Sequence, residues 1–248
     1  MSRLPLAVAV LSIFLLLLLF TAPATLLDAE LHDLTQGKIR LVDAQGSVWS
    51  GNGQLEIRDA GGAAVMNRAL SWELDKSRLL LARLSGRFQV YPQPQSSTLS
   101  LDFSSLAISD IDLSLPATAL ALLLPAAKGY GVGGTLSLHG DTLIFRRTDT
   151  EGKIRLRWQD ASSVLAPIAP LGSYELWLEG VPAPGLFNLS LQTLDGPLQL
   201  NGSGSFGINR PPGFTVSAQL PPAEYDSLAP FLRLIAVEAT DGSFMLQR

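Results

Sequence analysis

The chain contains no cysteine among its 248 residues, so it can build neither a disulfide framework nor a thiolate metal site. Histidine is nearly as scarce. His32 and His139 stand far apart, each without a second histidine nearby, which leaves no spacing for a metal ligand set or a histidine-based catalytic pair. Charged residues make up only 16%, and a net charge of −4 with a pI near 5.2 removes the basic face that nucleic acid would demand. No GxSxG elbow, phosphate-binding lysine loop or HExxH helix occurs. The glycine-rich run Gly129-Tyr-Gly-Val-Gly-Gly134 precedes a strand pattern instead of joining strand to helix, so it reads as a turn. Asp110 and Asp112 alternate with Ile111 and Leu113, the pattern of a solvated strand edge and not of a paired acid and base. The sequons at Asn188 and Asn201 are short enough to occur by chance and carry no weight. An envelope hydrolase therefore ranks last among the readings, and no cofactor or metal is expected.

What the chain has in quantity is an apolar beginning. Residues 4–27 (LPLAVAVLSIFLLLLLFTAPATLL) carry no charge and would reach roughly 36 Å as a helix, more than the bilayer's ~30 Å hydrocarbon core. Arg3 precedes this run, and Asp28 and Glu30 follow it. The positive-inside rule then places the N-terminus in the cytoplasm and the rest across the inner membrane. Ala22-Pro23-Ala24 resembles a signal-peptidase site, but the run is long for a signal peptide and continues through Leu27, which favours an uncleaved anchor. The expected organisation is a cytoplasmic tip and transmembrane helix over 1–27 and a periplasmic domain over 28–248.

The remainder is dense in turn residues, with 22 glycines and 16 prolines in the chain. Short alternating runs start repeatedly after glycine: Gly37-KIRL, Gly53-QLEI, Gly134-TLSL, Gly152-KIRL and Gly196-PLQL. Period-2 alternation predicts strands with one buried face. Further strands are expected at Leu70–Leu74, Arg78–Val90, Thr98–Ile108, Ile111–Leu115, Thr142–Arg147, Tyr174–Leu178, Leu186–Gln192 and Phe214–Leu220. Short helices are expected at Ala29–Leu34, Pro116–Leu124 and Pro222–Ile235, the last broken or kinked by Pro230. Tyr91–Ser97 and Asn209–Gly213 read as loops, the first as a long hairpin connection. The fold class is mainly β, an antiparallel sheet with one or two short helices.

Four tryptophans lie in or beside these runs: Trp49, Trp72, Trp158 and Trp177. Aromatics bury large areas, and core packing is their ordinary role. The sharper reading makes Trp49, Trp72 and Trp177 a groove or partner-binding surface.

The segment Gly46-Ser-Val-Trp49-Ser-Gly51 after an apolar anchor resembles the type II secretion system protein N family. Three further blocks agree in order: Gly133-Gly134-Thr-Leu-Ser-Leu138, Pro170-Leu-Gly-Ser-Tyr174 and Thr193-Leu-Asp-Gly196-Pro-Leu-Gln-Leu-Asn-Gly-Ser-Gly204. The resemblance implies an accessory, non-enzymatic component of type II secretion in the inner membrane, which helps assemble the path of folded proteins across the outer membrane. Its partners would be other inner-membrane and periplasmic secretion proteins, recruited by strand addition to sheet edges. The domain also resembles the AsmA-like envelope proteins, whose curled, partly closed sheet implies the alternative function of a lipid-binding or lipid-transfer module.

Overall fold

The computed structural model describes residues 20–59, 62–119, 129–207, 210–239 and 242–247. The chain forms two compact units, residues 1–94 and residues 95–248, divided inside the loop Tyr91–Ser97. Both are antiparallel β structures, as the alternating runs predict. The apolar stretch 4–19 lies outside the described residues, and among those described no helix is long and apolar enough to cross a membrane.

Unit 1 begins with helix α1 (Thr25–Thr35), longer at both ends than the short helix expected at Ala29–Leu34. A meander follows of β1 (Ile39–Gly46), β2 (Ser50–Arg58), β3 (Ala64–Leu74) and β4 (Leu84–Val90). The single strand expected over Arg78–Val90 is instead a 3-10 turn, Lys76–Leu81, followed by β4. Asp75 is the reason: its carboxylate accepts the Ser77 N–H at 3.0 Å and caps the turn, which Ala82 ends in the left-handed conformation. Ala24, Leu41 and Trp72 form the buried centre, with Leu27, Leu31, Leu70, Leu74 and Phe88 packed around them.

The free side of β1 is closed by α1. Asp28 accepts the Leu41 N–H at 2.8 Å and forks onto Arg40 at 2.8 and 2.6 Å, while Thr35 Oγ1 accepts the Ile39 N–H at 3.0 Å. An edge whose donors are already satisfied cannot template another strand there, so strand addition at β1 is ruled out over these positions. The hydrogen bond and charge of Arg40 hold the Asp28 carboxyl below its ordinary range. A depressed folded-state pKa contributes stability above the unfolded value, near 4, and loses it as pH falls through the folded value. The melting difference between the native chain and Asp28→Asn should therefore be largest at neutral pH and shrink steadily below about pH 4. A pH-independent difference in a thermal melt series would contradict this.

Unit 2 contains β5 (Ser97–Leu101), β6 (Ser105–Pro116), β7 (Val132–Arg146), β8 (Thr150–Ser163), β9 (Gly172–Gly180), β10 (Leu186–Asp195), β11 (Gln199–Gly207) and β12 (Arg210–Gln219). Each pairs with its sequence neighbour. Helix α2 (Pro222–Leu232) follows, then β13 (Val237–Glu238) and β14 (Phe244–Gln247), with β14 inserted between β12 and β13. The run Thr98–Ile108, expected as one strand, is cut in two at Asp102. Its carboxylate accepts the N–H groups of Ser104 and Ser105 at 2.8 Å, making a turn, and these bonds lower its pKa to about 2. Pro116 ends β6, and only Ala117–Ala119 follow as a 3-10 turn; the rest of the helix expected to Leu124 lies outside the described residues. Arg210–Gly213, read as loop, belongs to β12. Its prolines are tolerated because this part of β12 pairs with β11 alone, β14 joining only from Thr215.

Alternation gives this sheet two distinct faces. Leu113, Leu138, Leu156, Leu176, Leu191, Gly202 and Val216 face each other across β6–β12 on the apolar side. Helix α2 packs Leu228, Phe231 and Leu232 onto this side at Leu198, Ala218 and Phe244, forming the densest core of the unit. Among the described residues the meander stays open: β13 pairs with β14 at one side and no strand joins it at the other to close a barrel.

Candidate interaction surface

The three tryptophans do not share a surface role. Trp49 is 5% exposed and Trp72 8%, whereas Trp177 is half-buried on the polar face of β9. Trp72 directs its indole N–H at the carbonyls of Ser47 and Val48, 3.1 Å from each, and so clamps the β1–β2 turn. Gly51 packs against the Trp72 ring so closely that a Cβ there would collide with it. Trp49 and Trp72 are thus packing residues, for the reason that favours core tryptophans generally: their area is worth most when fully buried. Of the three, Trp177 is the one that is not buried.

Around Trp177 the register assembles a compact polar network. Arg155 lies opposite it on β8 and Ser190 opposite it on β10. The Arg155 guanidinium sits 5.4 Å from the indole centroid, within cation–π range. Ser190 is too small to cover the ring on the other side. There a hollow of ≈210 Å³ opens, lined by Lys153, Trp177, Glu179, Asn188 and Ser190. Beneath it, Glu175 is only 5% exposed. Burial opposes its ionisation, but donors from Arg157 at 2.9 Å, the Trp177 indole at 2.9 Å and Gln192 at 3.1 Å outweigh this and hold its carboxyl below the ordinary range. Lys153 and Glu179 pair at 3.0 Å on the rim. The arrangement is hydrogen-bonded, aromatic and supplied with arginine, the composition of protein interface hot spots. The sequence held this signal unnoticed: Glu175 and Trp177 alternate along β9 in step with Arg155 and Arg157 along β8.

His139 is exposed in the same cross-strand row, opposite Asp112 on β6 and Arg155 on β8, at the margin of the Trp177 network, whereas His32 lies apart in α1, where its carbonyl accepts the Gly37 N–H. Asp110 sits at a backbone irregularity with φ 56°, so it and Asp112 do not form a paired site. Among the described residues no group of three or more histidine, aspartate or glutamate side chains could hold a metal ion.

The sequence blocks singled out above prove to be turn and packing devices. Gly133 offers its carbonyl to the Trp158 indole at 2.9 Å. The block Pro170–Tyr174 meets the block Thr193–Gly204 directly. Gly196, at φ +117°, lies against the Cα of Gly172, Leu198 N–H donates to the Leu171 carbonyl at 3.1 Å, and the Tyr174 hydroxyl reaches the carbonyls of Leu171 and Leu198 at 3.2 and 3.1 Å. Two segments distant in sequence are thereby fixed as one corner.

No curated protein and no solved structure matches the chain. A family model described as type II secretion system (T2SS), protein N, matches residues 37–247. That span takes in all four blocks, including the Gly172–Gly196 corner and the Trp72-clamped turn, and so the chain belongs to the type II secretion system protein N family.

Proposed function

We propose that the chain is a non-enzymatic assembly component of the type II secretion system. The N-terminal segment expected over residues 1–27 anchors it in the inner membrane through its apolar stretch, and both β units lie in the periplasm, where they hold other secretion proteins in place. Family membership supports the secretion role and interaction with other components of that system. The single observation that favours a docking function is the Trp177 network: a fixed aromatic, two arginines and a buried carboxylate on an exposed sheet face, with a hollow beside the ring. A surface of this kind is preorganised, which spares a partner the entropy of ordering it.

A second reading, lipid binding, draws on the opposite face. Leu138, Leu156, Leu176 and Leu191 form an apolar row across four strands, all partly exposed. One experiment separates the two. Photo-crosslinking residues are placed in living cells at Trp177 and Ser190 on the polar face, and at Leu176 on the apolar face. Adducts from Trp177 and Ser190 to other secretion components are expected. Capture of phospholipid alone, at Leu176, with no secretion protein at the other two positions, would overturn the docking function and establish the second reading.

A further inference from the structure

One end of unit 1 gathers features that a soluble surface would avoid. The described chain enters there at Phe20, whose ring stands 6.3 Å from that of Trp49. Ala22 accepts the Val48 N–H at 2.9 Å, Pro23 bridges Ser47, and Ala24, 1% exposed, donates to the Gly46 carbonyl at 3.2 Å. Residues 22–24 are therefore part of the folded unit, and in the sequence they belong to the uncharged run Leu4–Leu27. The β3–β4 connection lies at the same end, since Leu74 N–H donates to the Trp49 carbonyl at 2.6 Å and Asp75 N–H to the Ser85 carbonyl at 2.7 Å.

That connection is basic and apolar. Residues 73–87 hold four cations, Lys76, Arg78, Arg83 and Arg87, against two carboxylates, in a chain that is acidic overall. Arg87 pairs loosely with Glu73 at 3.9 Å, and Arg78 with Asp75 at 3.1 Å. Lys76 and Arg83 are exposed, and Leu81 between them is 71% exposed. Exposed leucine among cations suits the interface of an anionic bilayer, where the side chain enters the headgroup region and the cations meet phosphate.

We propose that this end of unit 1, led by Leu81 with Lys76, Arg78 and Arg83, docks on anionic phospholipid headgroups of the membrane that carries the anchor. The inference rests on the membrane placement proposed above and adds an orientation to it. The anchor exit and the basic connection lie flat on the bilayer, and the β2–β3 turn at Ala63 points away.

The absence of cysteine makes the test clean. Single cysteines at Leu81→Cys, Ala63→Cys and Phe14→Cys in the full chain are labelled with bimane and reconstituted in phosphatidylglycerol-containing nanodiscs with doxyl-labelled lipid. The Leu81 probe should be quenched about twofold more than the Ala63 probe, and the triple change Lys76→Glu, Arg78→Glu, Arg83→Glu should abolish that difference while the Phe14 probe stays quenched. Equal quenching at Leu81 and Ala63, with Phe14 quenched, would overturn the docking surface and leave the anchor standing. Quenching at Leu81 without quenching at Phe14 would sustain the lipid contact and overturn the anchor.

Discussion

Replacing Trp72 by alanine should lower the stability of unit 1 by about 3–5 kcal/mol, the range for emptying a buried aromatic site. Two losses combine. The ring packs among Ala24, Leu41, Leu70 and Leu74, and its removal leaves a void that flanking strands cannot collapse to fill. The indole N–H also bonds the Ser47 and Val48 carbonyls, which hold the β1–β2 turn closed over Ala22 and Ala24. Trp72→Phe keeps one aromatic ring but loses the pyrrole ring together with the donor, so it should be less destabilising than the alanine change and still measurably worse than the native chain. Urea unfolding in detergent, followed by circular dichroism, distinguishes them. Equal midpoints for Trp72→Ala and the native chain would show that the turn is held by something else. With a whole domain stable by only about 5–15 kcal/mol, the alanine change threatens the unit itself.

Gly196→Val should be comparably damaging in unit 2. Gly196 has φ +117°, which only glycine adopts without strain, and an added Cβ would collide with the Cα of Gly172 and approach the Leu171 carbonyl to 2.9 Å. Backbone strain of about 1–3 kcal/mol adds to overpacking of about 1–3 kcal/mol, and the displaced atoms are backbone, which cannot rotate away. The Tyr174 hydroxyl and the Leu198 N–H would lose their common partner at Leu171. Gly62→Ala is the comparison: φ is +83° there, but an added Cβ meets nothing within 4 Å among the described residues, so it carries the strain without the collision. A protease-resistance assay should find Gly196→Val cleaved far faster than Gly62→Ala. Similar rates would mean that the corner yields more easily than its geometry indicates.

The strands were legible in the sequence because alternation is a local property. Gly134-TLSL and Gly152-KIRL lie in β7 and β8 as expected, with Leu136, Leu138, Ile154 and Leu156 on one face. The misreadings arose where a single side chain outweighed the pattern. Asp102 cut a continuous apolar run by capturing two N–H groups, and Asp75 turned the start of another into a 3-10 turn. A carboxylate in such a run looks like an ordinary outward residue until its backbone partners are known. Tryptophan was ambiguous for a related reason. Trp49 and Trp177 both lie in or beside alternating segments, and only the partner strands decide that one is enclosed and the other borders a hollow.

The sequence by itself determined the β class, the absence of cysteine chemistry, the apolar beginning and the ordered blocks that carry the family. All of these are properties of composition, of neighbours two residues apart, or of order along the chain. Tertiary structure alone decided that Gly172 and Gly196 meet, that α1 closes the edge of β1, and that Glu175 gathers Arg157, Trp177 and Gln192. The last depends on strand register, and a shift of one residue in β9 would send Glu175 and Trp177 to the opposite face.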